Sequence, residues 1–218
     1  MKEFGRYLSV IITPFHEDLT INYDSMRKVA RHMIDGGVEG LIVAATGGES
    51  ATMKLEERIA LTRFMKKEFG NEVPIIVGTG TNNTENSIAT TKAIEEAGAD
   101  GVLLVSPYYN KPNQEGLYQH FKSIAESTAL PVLLYNVPGR TGVSIQPATV
   151  ARLAQVPNIV GMKDAAGNMD NLTQLFAPCL NNSMFILATT TSSFLRWRLV
   201  FTALSAFARK SFLYSCVT

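Results

Sequence analysis

The apolar run Asn158–Met162 leads into Lys163, in the stretch NIVGMKDAAG. On position alone, a lysine after a hydrophobic strand is a solvated loop residue. A lysine held inside a pocket is a different reagent, because desolvation drives off its proton and leaves a nucleophilic amine. Other reactive groups follow other apolar runs. YNVPGRTG, residues 135–142, puts the phenol of Tyr135 at a strand end and Arg140 in the loop beyond it. An arginine there suits bidentate carboxylate binding, although a surface arginine is the commoner case. ATGGES, residues 45–50, offers Thr46, Gly47 and Gly48 before a helix, where backbone N–H groups can meet an anion. An ordinary turn fits that stretch equally well. SPYYNKP, residues 106–112, holds Tyr108 and Tyr109, which loop packing would also explain. Gathered in one pocket, an amine, phenols, a hydroxyl, an arginine and backbone donors match carbonyl chemistry on a keto acid. The amine condenses with the ketone, the iminium is an electron sink, and a phenol moves the protons.

Other chemistries lack their signals. ATGGES has no Gly-Lys-Ser/Thr ending, and GTGTNN (residues 78–83) lacks the third glycine of a dinucleotide fingerprint. His16, His32 and His120 are scattered, and no His/Asp/Glu cluster has metal-ligand spacing, so no metal is expected. Cys179 and Cys216 suggest neither a metal site nor a disulfide framework. A net charge of +1 gives no electrostatic case for nucleic acid. No segment reaches the roughly 18 apolar residues of a membrane span. The N-terminal MKEFGRYLSV lacks the apolar core of a signal peptide, so a cytoplasmic protein is expected.

Elements that position these groups are legible as seven apolar runs, rich in Val, Ile and Leu. They are Tyr7–Ile12, Gly40–Ala44, Val73–Val77, Gly101–Val105, Pro131–Tyr135, Asn158–Met162 and Met184–Ala188. Without strict alternation, they read as strands buried on both faces of a parallel sheet. Helical stripes lie between them, among them Met26, Val29, Ala30, Met33 and Ile34; Leu117, Phe121, Ile124 and Ala125; and Leu172, Leu175, Phe176 and Cys179. DGGVEGLIVA (Asp35–Ala44) and EAGADGVLLV (Glu96–Val105) repeat one pattern of helix end, glycine turn and strand. Such alternation means βαβ units. An open doubly wound sheet and a (β/α)8 TIM barrel both fit. The barrel is favoured because the polar residues at several strand ends suit one shared mouth. All 16 glycines lie at or before Gly167, the last acid is Asp170, and no proline follows Pro178. Residues 1–187 are therefore expected to form the barrel, incomplete at its C-terminus, and 188–218 to be a foreign, out-of-frame or spliced tail.

The order and spacing of ATGGES, SPYYNKP, YNVPGRTG and GMKDAAG resemble the dihydrodipicolinate synthase / N-acetylneuraminate lyase family of class I aldolases. The resemblance runs from about Tyr7 to about Leu187. It implies a (β/α)8 barrel whose Lys163 forms a covalent Schiff base with pyruvate, with no separate cofactor. It implies Tyr135 as general acid/base, linked to Thr46 and Tyr109 in a proton relay, and Arg140 as the binder of a substrate carboxylate. Gly47 and Gly48 would supply N–H groups to the keto-acid carboxylate. YNVPGRTG and PYYNKP are most similar to the synthase branch, which condenses pyruvate with aspartate 4-semialdehyde on the diaminopimelate route to lysine. In that branch Tyr109 reaches the neighbouring subunit's site, implying a homodimer or homotetramer. The alternatives are a sibling lyase for a sugar keto acid such as N-acetylneuraminate, and an inactive truncated paralogue. Gly47 departs from the usual Gly-Thr-Thr-Gly-Glu-Ser pattern by losing a hydroxyl. Leu55, Arg58 and Asn86 replace the histidines and glutamate of the lysine-feedback site. ATTTSS (residues 188–193) replaces the usual turn after the seventh strand.

Overall fold

A computed structural model of the chain describes residues 4–5, 7–168, 174 and 184–187. Each apolar run overlaps a strand: β1 (Leu8–Val10), β2 (Gly40–Val43), β3 (Ile75–Gly78), β4 (Gly101–Val105), β5 (Val132–Asn136), β6 (Ile159–Asp164) and β7 (Met184–Leu187), with β3, β5 and β6 running one or two residues past their runs. Between them lie α1 (Tyr23–Asp35), α2 (Leu55–Phe69), α3 (Thr84–Glu96), α4 (Gln114–Ala125), and α5 (Pro138–Thr141) with α6 (Pro147–Leu153). All strand pairings within the sheet are parallel, and the strand order is β1 to β7 without reversal. A doubly wound sheet reverses its order at a switch point. Sequential order is that of a barrel. Among the described residues no eighth strand or β1–β7 pairing closes it.

Alternation along each strand divides the core into two layers. Leu41, Val43, Ile75, Val77, Val102, Leu104, Val132 and Leu134 pack outward with the helix faces. Leu8, Ile42, Ile76, Leu103, Leu133 and Tyr135 form a separate inner cluster. Branched side chains stacked in this way fill a barrel interior. Among the described helices, α1, α3 and α4 start where side-chain caps satisfy their first amides. Asn22 accepts from Ser25 N–H, Asn83 from Asn86 N–H and Asn113 from Gly116 N–H. Each cap is worth about 1 kcal/mol. The repeat has a backbone basis: Gly37 and Gly98, at equivalent places, adopt φ of +94° and +91°, where a side chain would be strained. The α1 and α4 stripes lie on the core side as expected. The Leu172–Cys179 stripe, both cysteines and the 188–218 tail lie outside the described residues.

Candidate active site

Five residues with positive φ other than glycine mark one end of the sheet. Among the described residues they are Leu19, Ala44, Glu49, Tyr109 and Lys111, all in loops leaving the C-terminal ends of β1, β2 and β4. Unusual backbone gathers at functional loops, and this is the end where barrel sites are built.

Lys163 is not a solvated strand-end residue. β6 continues through it to Asp164, and Lys163 is only 6% exposed. It pairs in register with Tyr135 on β5, so both side chains share the inner face. The amine lies 4.4 Å from the Tyr135 ring centroid. Burial lowers its pKa from 10.5 to about 8, so the neutral amine is far more accessible near physiological pH than in a solvated lysine.

A one-residue bulge creates this alignment. Val132 pairs with Ile159, but Leu133 pairs with Gly161, so Val160 is skipped. Ile159 faces the helix layer, and strict alternation from it would send Lys163 outward too. With Val160 packed against the inner cluster and Gly161 opposite Leu133, Lys163 turns inward. Bulges re-aim side chains in this way.

Tyr135 is the penultimate residue of β5, 6% exposed, and burial raises its pKa. A hydrogen bond with the Thr46 side chain and the charge of Arg140 oppose that rise. The structure thus brings Lys163, Tyr135, Thr46 and Arg140 together. Thr46, Gly47 and Gly48 form one 3-10 turn. The Gly48 N–H donates to Ala45 O at 3.0 Å, and its carbonyl accepts from Thr13 Oγ1 at 2.8 Å. Gly48 therefore serves the turn itself, and the Thr46 and Gly47 amides head it. The turn depends on Gly78 of β3, where a Cβ would lie 2.2 Å from Ala44 O.

Tyr109 does not join the group within this chain. It is 90% exposed, with φ +72°. His120 is buried in α4, its Nδ1 at 2.8 Å from Thr84 Oγ1, away from the inner cluster. Among the described residues no three His, Cys, Asp or Glu side chains gather as metal ligands, and no helix is long and apolar enough to cross a membrane.

Sequence reasoning passed over Asn136 and Asp164. Each directly follows a reactive residue, and each is buried. Asn136 Nδ2 donates to Asp164 Oδ1 at 2.7 Å. The available signal was a polar residue ending each of two adjacent apolar strands.

The sequence profile of the "Dihydrodipicolinate synthetase family" matches residues 3–194. A 4-hydroxy-tetrahydrodipicolinate synthase of Desulforamulus reducens is 51% identical over 174 residues, covering 79% of this chain and 59% of that protein. That of Bacillus subtilis is 49% identical over 175 residues, covering 80% and 60%. The chain thus spans about 59–60% of the length of these relatives. A dihydrodipicolinate synthase structure from Bacillus anthracis superposes with TM-score 0.86 at 41% identity, over 100% of this chain and 70% of that one. One from Acinetobacter baumannii, solved with pyruvate, gives TM-score 0.81 at 41% identity over 84% and 62%. On the family match and on both kinds of relative, the chain belongs to the dihydrodipicolinate synthetase family.

Proposed function

We propose that Lys163 carries pyruvate as a Schiff base and that the chain's chemistry is condensation of pyruvate with aspartate 4-semialdehyde. The observation that carries this reading is a desolvated lysine in strand register with a buried tyrosine. The neutral amine adds to the ketone carbon, and the carbinolamine loses water to form an iminium. A proton leaves the neighbouring methyl carbon, giving an enamine. The enamine carbon attacks the aldehyde, and the new alkoxide takes a proton. Tyr135 serves as the proton carrier, since burial keeps the phenol protonated until one is demanded. Thr46 passes protons to and from it. The amino group of the second substrate then attacks the iminium carbon and releases Lys163.

The Thr46 and Gly47 amides hold the pyruvate carboxylate, with Gly48 shaping their turn. Arg140, exposed beside Tyr135, receives the semialdehyde carboxylate. The group transferred is held by the protein's own lysine, so the scheme requires no metal or separate cofactor. Borohydride reduction in the presence of pyruvate tests the reading. It is expected to leave a stable adduct on the peptide containing Lys163; folded protein without that adduct would refute it. Turnover with aspartate 4-semialdehyde and none with N-acetylneuraminate separates the synthase from a sugar lyase.

A further inference from the structure

We propose that Asn136 and Asp164 act as a paired positioning device, locking the two reactive strand ends and the Arg140 loop into one geometry. The inference rests on the roles given above to Lys163, Tyr135 and Arg140. Asn136 follows Tyr135 on β5, and Asp164 follows Lys163 on β6; the two are paired in register. Asn136 is 2% exposed and Asp164 5%.

Besides each other, the pair's polar contacts reach two segments, the chain after α5 and the chain after β6. Asn136 Nδ2 donates to Asp164 Oδ1 at 2.7 Å and lies 3.4 Å from Ser144 Oγ. Asn136 Oδ1 accepts from Ile145 N–H at 3.1 Å, fixing the chain that leaves α5, which carries Arg140. Asp164 accepts from Ala166 N–H at 3.3 Å, and Asn136 O accepts from Ala165 N–H at 2.8 Å. One buried unit therefore touches the segments bearing the amine, the phenol and the guanidinium. Burial raises the Asp164 pKa, opposed by the hydrogen bonds from Asn136 and Ala166. A satisfied polar network of this kind specifies one arrangement, whereas a half-satisfied one loosens it.

The donor and acceptor pattern supplies its own test. Asp164→Asn sets an amide N–H against either the Asn136 amide or the Ala166 N–H. Asn136→Asp sets two carboxyl groups face to face. The double exchange, Asn136→Asp with Asp164→Asn, restores the bond within the pair and those to Ile145 and Ala166: the carboxylate at 136 accepts from Ile145 N–H and from the new amide, whose oxygen accepts from Ala166 N–H, while the Ser144 hydroxyl turns to donate to the carboxylate. The rate of pyruvate adduct formation is expected to fall at least tenfold in each single variant. In the double exchange it returns to within threefold of the parent. A purely structural role would lower the melting temperature without this rescue of rate.

A second readout does not depend on pyruvate. It is the pH midpoint for acetylation of Lys163 by acetic anhydride, which releases acetate, followed by peptide mass spectrometry. The midpoint should stand near 8 in the parent, rise in the single variants and return in the double. Unchanged adduct rates and midpoints in the single variants, or a double exchange no better than either, would overturn the proposal. A parent that forms no pyruvate adduct but shows the midpoint pattern would refute the catalytic reading and leave the positioning role standing.

Discussion

Lys163 shows at the scale of one residue how function opposes stability. Its folded pKa of about 8 lies below the ordinary 10.5, because burial penalises the ammonium form. The unfolded state therefore binds more protons between those values, and stability rises with pH across that window. Below about pH 8 the lysine is charged in both states, and the full cost falls on the fold. The difference corresponds to about 3 kcal/mol at roughly 1.4 kcal/mol per pKa unit. Lys163→Met keeps the apolar stem and removes the charge. It is expected to abolish adduct formation and yet stabilise the protein by about 1–3 kcal/mol at pH 7. Urea unfolding as a function of pH checks the sign. The advantage of the variant should shrink as pH climbs from about 8 toward 10.5. An advantage that grew over that range would mean the amine is not buried as charge.

At the scale of elements, the strands were legible and the aim of one side chain was not. The seven runs, the α1 and α4 stripes and the glycine repeat were readable because burial on both faces and helix-ending turns leave strong compositional marks. Lys163 was misplaced beyond the strand because a lysine breaks an apolar run, and a one-residue bulge leaves no mark in period-2 counting. Asn136 and Asp164 were missed for a related reason: strand-end polar residues read as loop, and only the register shows that they face each other. Close backbone approach is equally silent in sequence. Gly78 of β3 ends on the Ala44 carbonyl, so a methyl there would push against backbone 2.2 Å away. Gly78→Ala is expected to cost about 1–3 kcal/mol by overpacking. Because the obstacle is the turn that presents Thr46 and Gly47, the KM for pyruvate should rise as well. Calorimetry and steady-state kinetics measure the two effects. A destabilised variant with unchanged KM would show that the turn is not part of the carboxylate site.

At the scale of the molecule, Tyr109 stands apart from the group its own chain assembles. Its loop is anchored: Asn110 N–H donates to Tyr108 O at 2.9 Å, and Asn110 Nδ2 donates to Asn82 O at 3.2 Å. Yet the Tyr109 ring is 90% exposed on a strained backbone. An aromatic side chain held out by a tethered, strained loop fits an interface better than a solvated surface. The family resemblance gives Tyr109 to the relay of a neighbouring subunit, and a two-fold interface would make that exchange reciprocal. Complementation distinguishes the possibilities. Lys163→Arg lacks the amine but keeps Tyr109; Tyr109→Phe keeps the amine but lacks the phenol. Each alone should have little turnover. In a hybrid isolated with two affinity tags, the Tyr109→Phe subunit contributes an intact Lys163, and its partner contributes an intact Tyr109. Action across the interface therefore predicts that the hybrid turns over faster than either parent assembly. Action within one subunit predicts no recovery, because every site would then lack either its amine or its phenol.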